Sequence, residues 1–272
     1  MKSKLPALPY IIWIVIFTII PLGMVVFFAL TNNDSAFSLD AFVIVGQKYI
    51  PTLLKSLKLA VFATLICLVI GYPMAYIMSR ADVNKQRMMM LLIMIPMWMN
   101  FLLRTYAWMT LLEDTGLINQ FLSIFGIGPF KMINTEGAVV IGMVYNYLPF
   151  MVLPLYSIME KIDKSVIEAS QDLGANGFNV FYKTVLPLSV PGIVTGVTMV
   201  FVPAVSTFII SRLLGGGKNK LIGDLIEDFF VRSQVPDFHV GSAMALVLMV
   251  IMLICMGVMN RLDDEDKEGM VI

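Results

Sequence analysis

Charged side chains are rare in this sequence, so the few that interrupt apolar stretches are the first candidates for chemistry. Of the 272 residues, 58% are hydrophobic and only 14% are charged. Arg104 stands well inside the apolar stretch 88–112. Because an unpaired arginine at bilayer depth costs roughly 2.5–3.5 kcal/mol, we expect Arg104 to face a bundle interior or a partner subunit. We predict a structural role for it, paired with an acid or with backbone carbonyls.

No enzymatic pattern accompanies Arg104. The chain has one histidine, His239, and two cysteines, Cys67 and Cys255, which are too few and too far apart for a metal site. The run Gly215-Gly-Gly-Lys218 is not a phosphate loop, because Asn219 replaces the required Ser or Thr and no glycine begins the motif. An intramembrane enzyme would need paired acids or a Ser/His pair at membrane depth. We therefore predict no catalytic residues, no metal and no cofactor bound by this chain.

The composition requires lipid as the solvent, because soluble domains carry nearer a quarter charged residues. Nineteen basic and nineteen acidic residues give zero net charge, which argues against a nucleic-acid partner. We predict an all-α integral membrane protein. Its six transmembrane helices are expected at about 9–30, 57–78, 88–112, 137–159, 187–211 and 240–259. In the fifth, Gly192 and Gly196 form a small-residue face that predicts close helix packing.

The distribution of lysine and arginine predicts the orientation of these spans. Lys2 and Lys4 precede the first span, and the short loop 79–87 is rich in basic residues, which favours the cytoplasm for both. Both termini are then inside, and residues 261–272 form an acidic cytoplasmic tail. The loop 160–186 is also inside, whereas the polar loop 31–52 and the loops 113–136 and 212–239 are outside.

The inner loop 160–186 contains a short helix whose two ends are specified by the sequence. Ser165 and Glu168 stand at the spacing of a capping box, and Gly174 can supply the left-handed residue that ends a helix. Pro187 indicates the start of the fifth span. A helix of about 12 Å cannot stand alone in water, so it must pack on its own bundle or in a groove of a partner protein.

At this point the loop resembles a known family. Glu168-Ala169-Ser170, Gly174 and Leu186-Pro187 are similar to the "EAA" loop of type I permeases of ABC importers, with Ser170 and Thr184 where that pattern has alanine and isoleucine. The resemblance implies a type I importer permease fold, a permease domain over 57–260 after a first unit 1–56, and a coupling helix that docks on a cytoplasmic ATPase. The residues implied in docking are Ser165, Ile167, Glu168, Ala169, Asp172, Leu173, Gly174, Leu186 and Pro187.

Within that family the chain is most similar to the PotB-type permeases of spermidine/putrescine importers. The segments that carry this likeness are Arg104–Met109, Leu148–Tyr156, Ile167–Ala175, Leu214–Asn219 and Leu221–Ile226. It implies a polyamine path shared with a second homologous permease in a heterodimer, two ATPase subunits that hold ATP and Mg²⁺, and an extracytoplasmic polyamine-binding protein. The location implied is the bacterial inner membrane. The alternative is the same importer class with another organic cation, an amino acid or an anion as cargo.

Candidates for the substrate path lie around the third span. The rings of Trp98, Tyr106 and Trp108 could bind a methylene-rich cation, although ordinary packing explains aromatic residues at least as often. Glu113 and Asp114 follow the outer end of that span, either as the first carboxylates that a polycation meets or as solvated helix-end acids. An amphipathic pattern over 219–231 predicts an interfacial helix, which could contact the binding protein or the second permease. Its apolar face includes Leu221 and Ile222, and its solvated face carries Asp224, Glu227 and Asp228.

Overall fold

The computed structural model describes residues 8–32, 34, 36–232 and 237–269, and these are helical throughout most of their length. Lys2, Lys4 and the last three residues of the acidic tail lie outside the described residues. The helices are α1 (Pro9–Ala29), α2 (Asp40–Arg80), α3 (Val83–Trp98), α4 (Phe101–Leu112), α5 (Leu117–Ile124), α6 (Glu136–Met159), α7 (Lys164–Asp172), α8 (Gly177–Ser206), α9 (Ile209–Leu214), α10 (Ile222–Glu227) and α11 (Phe238–Gly269).

Five of the described helices are long and apolar enough to cross a membrane, and a sixth span results if a bent pair counts as one. This agrees with the six predicted spans, except that the second helix begins earlier than predicted and the third stretch is bent. The second span belongs to a helix that begins at Asp40, so the polar loop expected over 31–52 is wrong from residue 40 onward. The division of the chain after residue 56 stays a prediction, although Ser56 itself lies inside α2.

The third stretch is the bent pair, and the prediction of one helix over 88–112 is wrong. The α3 axis and the axis of the segment Phe101–Ile124 meet at 91°. Pro96 cannot donate a backbone hydrogen bond, and Met99 and Asn100 are extended, so the first helix stops. The Asn100 side chain then accepts hydrogen bonds from Leu102 N (2.8 Å) and Leu103 N (3.4 Å), which begins α4.

Helices α2, α6 and α8 form the centre of the bundle, and α11 packs on α8 while α1 lies along α11. Close approach of α6 and α8 depends on small residues. A Cβ atom on Gly192 would lie 3.2 Å from Pro154 O, and one on Gly196 would lie 2.8 Å from Met151 Sδ. The predicted small-residue face therefore lets two helix backbones pack against each other.

Contacts between loops group them at the two ends of the bundle as the orientation requires. At one end Arg80 donates to Ile162 O (3.5 Å) and the Tyr156 hydroxyl to Gln86 Oε1 (3.2 Å), which joins the loops predicted to be inside. At the other end Lys55 Nζ lies 3.0 Å from Glu136 Oε1, beside the loops predicted to be outside. The coupling loop and the outer loops thus lie at opposite ends of the spans.

Candidate coupling surface and substrate path

The short helix α7 begins two residues earlier than the capping pattern predicts. Asp163 is its N-cap, and one of its carboxylate oxygens accepts a hydrogen bond from Ser165 N at 3.0 Å. That bond to the charged form holds the pKa of Asp163 below its ordinary value. The predicted capping box of Ser165 and Glu168 is therefore wrong, because Ser165 is already the second residue of the helix. The sequence offers two possible capping side chains, and the one that comes first caps the helix.

The end of α7 follows the prediction. Gly174 has a φ of +86°, in the left-handed region, and its N–H donates to Gln171 O at 2.8 Å. A Cβ at this position would meet no atom within 4 Å, so only the backbone conformation demands glycine here. The chain then turns away from α7 and enters α8 at Gly177.

One side of α7 attaches to its own bundle. Ile167 packs against a small cluster formed by Ile162, Val180 and Val185. Ser170 Oγ and Thr184 Oγ1 lie 3.1 Å apart and share a hydrogen bond. Ser170 and Thr184 are the two positions at which the sequence departs from the family pattern, so the departures form one contact. A polar pair here holds the helix where the pattern has two apolar side chains.

The opposite side of α7 is open. Glu168, Ala169 and Asp172 are exposed, and Leu173 is 90% exposed. Farther along, Leu186 is half-buried and Pro187 is exposed in the first turn of the regular α-helical part of α8. This face combines a carboxylate pair with an apolar tip, which is suited to a protein groove and costly to leave in water.

The structure distributes the predicted path residues over the surface of α3 and α4. Trp98 is 75% exposed at the end of α3, and Tyr106 is exposed on α4. Trp108 is half-buried and meets the ring of Tyr145 edge-on, with centroids 5.3 Å apart. Glu113 and Asp114 are exposed in the turn that follows α4. Apart from Trp108, these rings and carboxylates are thus exposed, and among the residues that the structure describes they do not enclose a cavity.

Arg104 is buried, but the pairing predicted for it is not found. It lies in the first turn of α4, beyond the bend, and therefore not in the middle of a straight span. Its guanidinium carbon is 6.0 Å from the centre of the Phe101 ring. Within the described part of the chain, its buried Nε and Nη1 have no hydrogen-bond acceptor.

A second charged group, at the outer end, was missed by the sequence reasoning. Asp224 was expected on the solvated face of an interfacial helix, yet it is only 2% exposed. It accepts hydrogen bonds from Ser211 Oγ (2.6 Å) and Leu221 N (2.8 Å). Burial raises the pKa of Asp224, and Arg212, whose Nη2 is 3.9 Å from the carboxylate, opposes that shift. Arg212 also bonds Glu227 and Asp228.

The amphipathic pattern over 219–231 had located the apolar side correctly, because Leu221 and Ile222 are buried. It failed for Asp224 because helical periodicity cannot tell a solvated carboxylate from one that accepts hydrogen bonds inside the protein. The α10 segment is therefore part of the bundle and contacts α2, α8, α9 and α11. Its charges fix the outer loop in place.

Comparison with known proteins gives the same architecture. A sequence profile of the family described as "Binding-protein-dependent transport system inner membrane component" matches residues 5–265. The spermidine/putrescine transport system permease protein PotB of Escherichia coli is 37% identical over 249 residues, covering 88% of this chain and 90% of that protein. PotB of Haemophilus influenzae is 38% identical over 259 residues, covering 92% and 90%.

A solved structure extends the likeness to the fold. The crystal structure of a bacterial alginate ABC transporter, in complex with an alginate pentasaccharide-bound periplasmic protein, contains a chain that superposes with a TM-score of 0.75. The two chains are 17% identical, and the match covers 93% of this chain and 91% of that chain. At that identity the likeness concerns the fold, and it does not extend to the cargo.

Proposed function

Because this chain belongs to the family of binding-protein-dependent transport system inner membrane components, we propose that it forms half of a polyamine path and couples it to ATP hydrolysis through α7. The chain is a multi-pass permease subunit of an ABC importer in the bacterial inner membrane. The observation that carries the proposal is the likeness to PotB over nearly the whole length of both chains.

The coupling step rests on α7. Its exposed face binds a groove on the ATPase, while Ile167 and the Ser170–Thr184 hydrogen bond attach it to the base of α8. A push on Glu168 or Leu173 from the closing ATPase therefore moves α7 together with the helix that continues into the bundle. ATP and Mg²⁺ are held by the ATPase subunits, and this chain transmits their movement to its transmembrane helices.

The cargo assignment rests on the names of the relatives and on surface chemistry. Spermidine and putrescine are chains of methylenes with ammonium groups, which bind to ring faces and carboxylates. The exposed Trp98 and Tyr106 offer rings, and the exposed Glu113 and Asp114 offer carboxylates. A second homologous permease covers these residues, and a polyamine-binding protein delivers the cargo from outside.

The test is transport by the assembled importer in proteoliposomes. We expect ATP-dependent uptake of labelled spermidine and putrescine in the presence of the binding protein, and an ATPase rate that rises severalfold with either polyamine. If both polyamines have no effect and another organic cation, an amino acid or an anion is transported, the polyamine assignment is wrong while the importer class stands.

Coupling is tested separately with a charge reversal on α7. Glu168→Arg is expected to abolish ATPase co-purification and uptake, because it places a cation where the docking face carries a carboxylate. Gln171→Arg puts the same side chain one turn away on the same helix, also exposed, and should retain both. Normal ATPase binding by Glu168→Arg would contradict docking through this face.

A further inference from the structure

Arg104 has hydrogen-bonding capacity that this subunit does not satisfy. Its residue is only 8% exposed, and its Nε and Nη1 are buried without an acceptor among the residues that the structure describes. The Phe101 ring, 6.0 Å from the guanidinium carbon, offers a cation–π contact. It has no oxygen that could accept hydrogen bonds from the N–H groups in the plane of the guanidinium. A buried, unpaired guanidinium is unfavourable enough that an anionic acceptor is to be expected.

The position of Arg104 on α4 shows from which side an acceptor can come. Thr105 and Leu112 are buried and mark the face that packs on the bundle, whereas Leu103 and Tyr106 are exposed. Arg104 lies at the edge between the two faces. Ala107, which is one turn along on the same side, is exposed and too small to cover the guanidinium. An approaching side chain therefore reaches Arg104 past Ala107.

The surface beside Arg104 has the composition of a protein interface. Trp98 and Tyr106 are exposed together with Leu102 and Leu103 around the bend between α3 and α4. Tryptophan, tyrosine and arginine are enriched where protein surfaces associate, and the strongest contacts combine a desolvated charge with aromatic anchors. The open side of α4 thus differs from a purely aliphatic surface that faces lipid.

We propose that the second permease subunit covers the corner between α3 and α4 and donates a carboxylate side chain to Arg104. This rests on the proposed function, in which two permeases share one path. A carboxylate at the end of a side chain is slim enough to pass beside Ala107, whereas a lipid phosphate carries bulky ester groups to a site that is more than nine-tenths buried. The planar guanidinium then donates two parallel hydrogen bonds to the carboxylate oxygens.

The test compares the isolated chain with the assembled complex. Arg104→Gln should lower co-purification with the tagged second permease about tenfold or more, because the partner's carboxylate loses its counter-charge. Arg104→Lys should retain part of the binding, and Thr110→Ser, an exposed position on the same helix, should retain all of it. The apparent Tm of the isolated chain should not fall with Arg104→Gln, because this subunit supplies no acceptor.

A second experiment locates the acceptor. Cells that carry Arg104→Glu are selected for recovered uptake. The suppressor mutations are expected to change an acidic residue of the second permease to a basic one. Three results would overturn the proposal: unchanged co-purification of Arg104→Gln, an equal loss of stability in the isolated chain, or loss of a bound phospholipid by native mass spectrometry with assembly intact. Assembly is measured without cargo, so a failed polyamine assignment leaves this result readable.

Discussion

The inner and outer ends of this bundle are built in opposite ways. At the inner end, α7 is capped by Asp163, ended by Gly174, and tied to the rest of the subunit by a few contacts such as Ser170 to Thr184. At the outer end, Ile222 N donates to Ser56 Oγ at 2.8 Å, which ties α10 to a helix much earlier in the chain. The inner end is specified within one loop, whereas the outer end depends on residues that are distant in the sequence.

The two ends differ because the inner end leaves a face open for a partner protein, whereas the outer end packs its charges within the subunit. The face of α7 with Glu168 and Leu173 is left open for a partner, so substitutions there should change coupling more than folding. Asp224 has its acceptors satisfied within the subunit, so substitutions around it should change folding first. The two ends can therefore be separated by measuring stability and ATPase binding on the same variants.

The largest effect is expected from Arg212→Met at the outer end. Removing this cation breaks the ion pairs with Glu227 and Asp228 and takes away the positive charge 3.9 Å from the buried Asp224. Because Arg212 and Glu227 are about one-fifth exposed, we expect a cost above that of an exposed pair and below the roughly 3–5 kcal/mol of a fully buried one. The apparent Tm in detergent should fall strongly, and the amount of chain in the membrane should fall with it.

A matched control uses the other cation that bonds Asp228. Lys220 Nζ lies 2.7 Å from Asp228 Oδ2, but the Lys220 side chain is 50% exposed. Lys220→Met should cost less than about 1 kcal/mol, because exposed pairs contribute little. Equal losses of stability in the two variants would mean that the outer end does not depend on the buried charge.

At the inner end the corresponding variant is Gly174→Ala. A side chain in the left-handed region costs about 1–2 kcal/mol, so the last turn of α7 should fray. Uptake and ATPase co-purification should fall while the global Tm stays near its parent value. Gly177→Ala is the control, because an added Cβ meets no atom there and the backbone is not left-handed. A global loss of stability in Gly174→Ala would contradict the local character of this end.

The sequence predicted what depends on composition and local pattern. Five predicted spans correspond to continuous helices, and the sixth corresponds to the bent pair. The left-handed Gly174 and the close packing at Gly192 and Gly196 are confirmed. Each of these features needs only the residue itself and its neighbours at helical spacing.

The remaining features depend on partners that are far away in the chain or on competition between neighbours. Asp163 competes successfully with Ser165 as the cap, and Asn100 begins a new helix inside a stretch that is apolar enough for one span. Asp224 is buried because Ser211 Oγ and Leu221 N donate hydrogen bonds to it, which hydrophobic periodicity does not record. Arg104 is the extreme case, since the acceptor that we propose for it belongs to another chain.

The smallest expected effect concerns the contact between the two departures from the family pattern. Ser170→Ala removes one hydroxyl and leaves Thr184 Oγ1 without its partner, which should cost roughly 1 kcal/mol of α7 attachment. Ser170→Ala/Thr184→Ile replaces the pair by the apolar residues of the pattern, and it should recover most of the loss. Hydrogen exchange of the α7 amides in Ser170→Ala, in Thr184→Ile and in the double variant measures this coupling. Additive effects would show that the two hydroxyls act independently, and the attachment of α7 would then rest on packing such as that of Ile167.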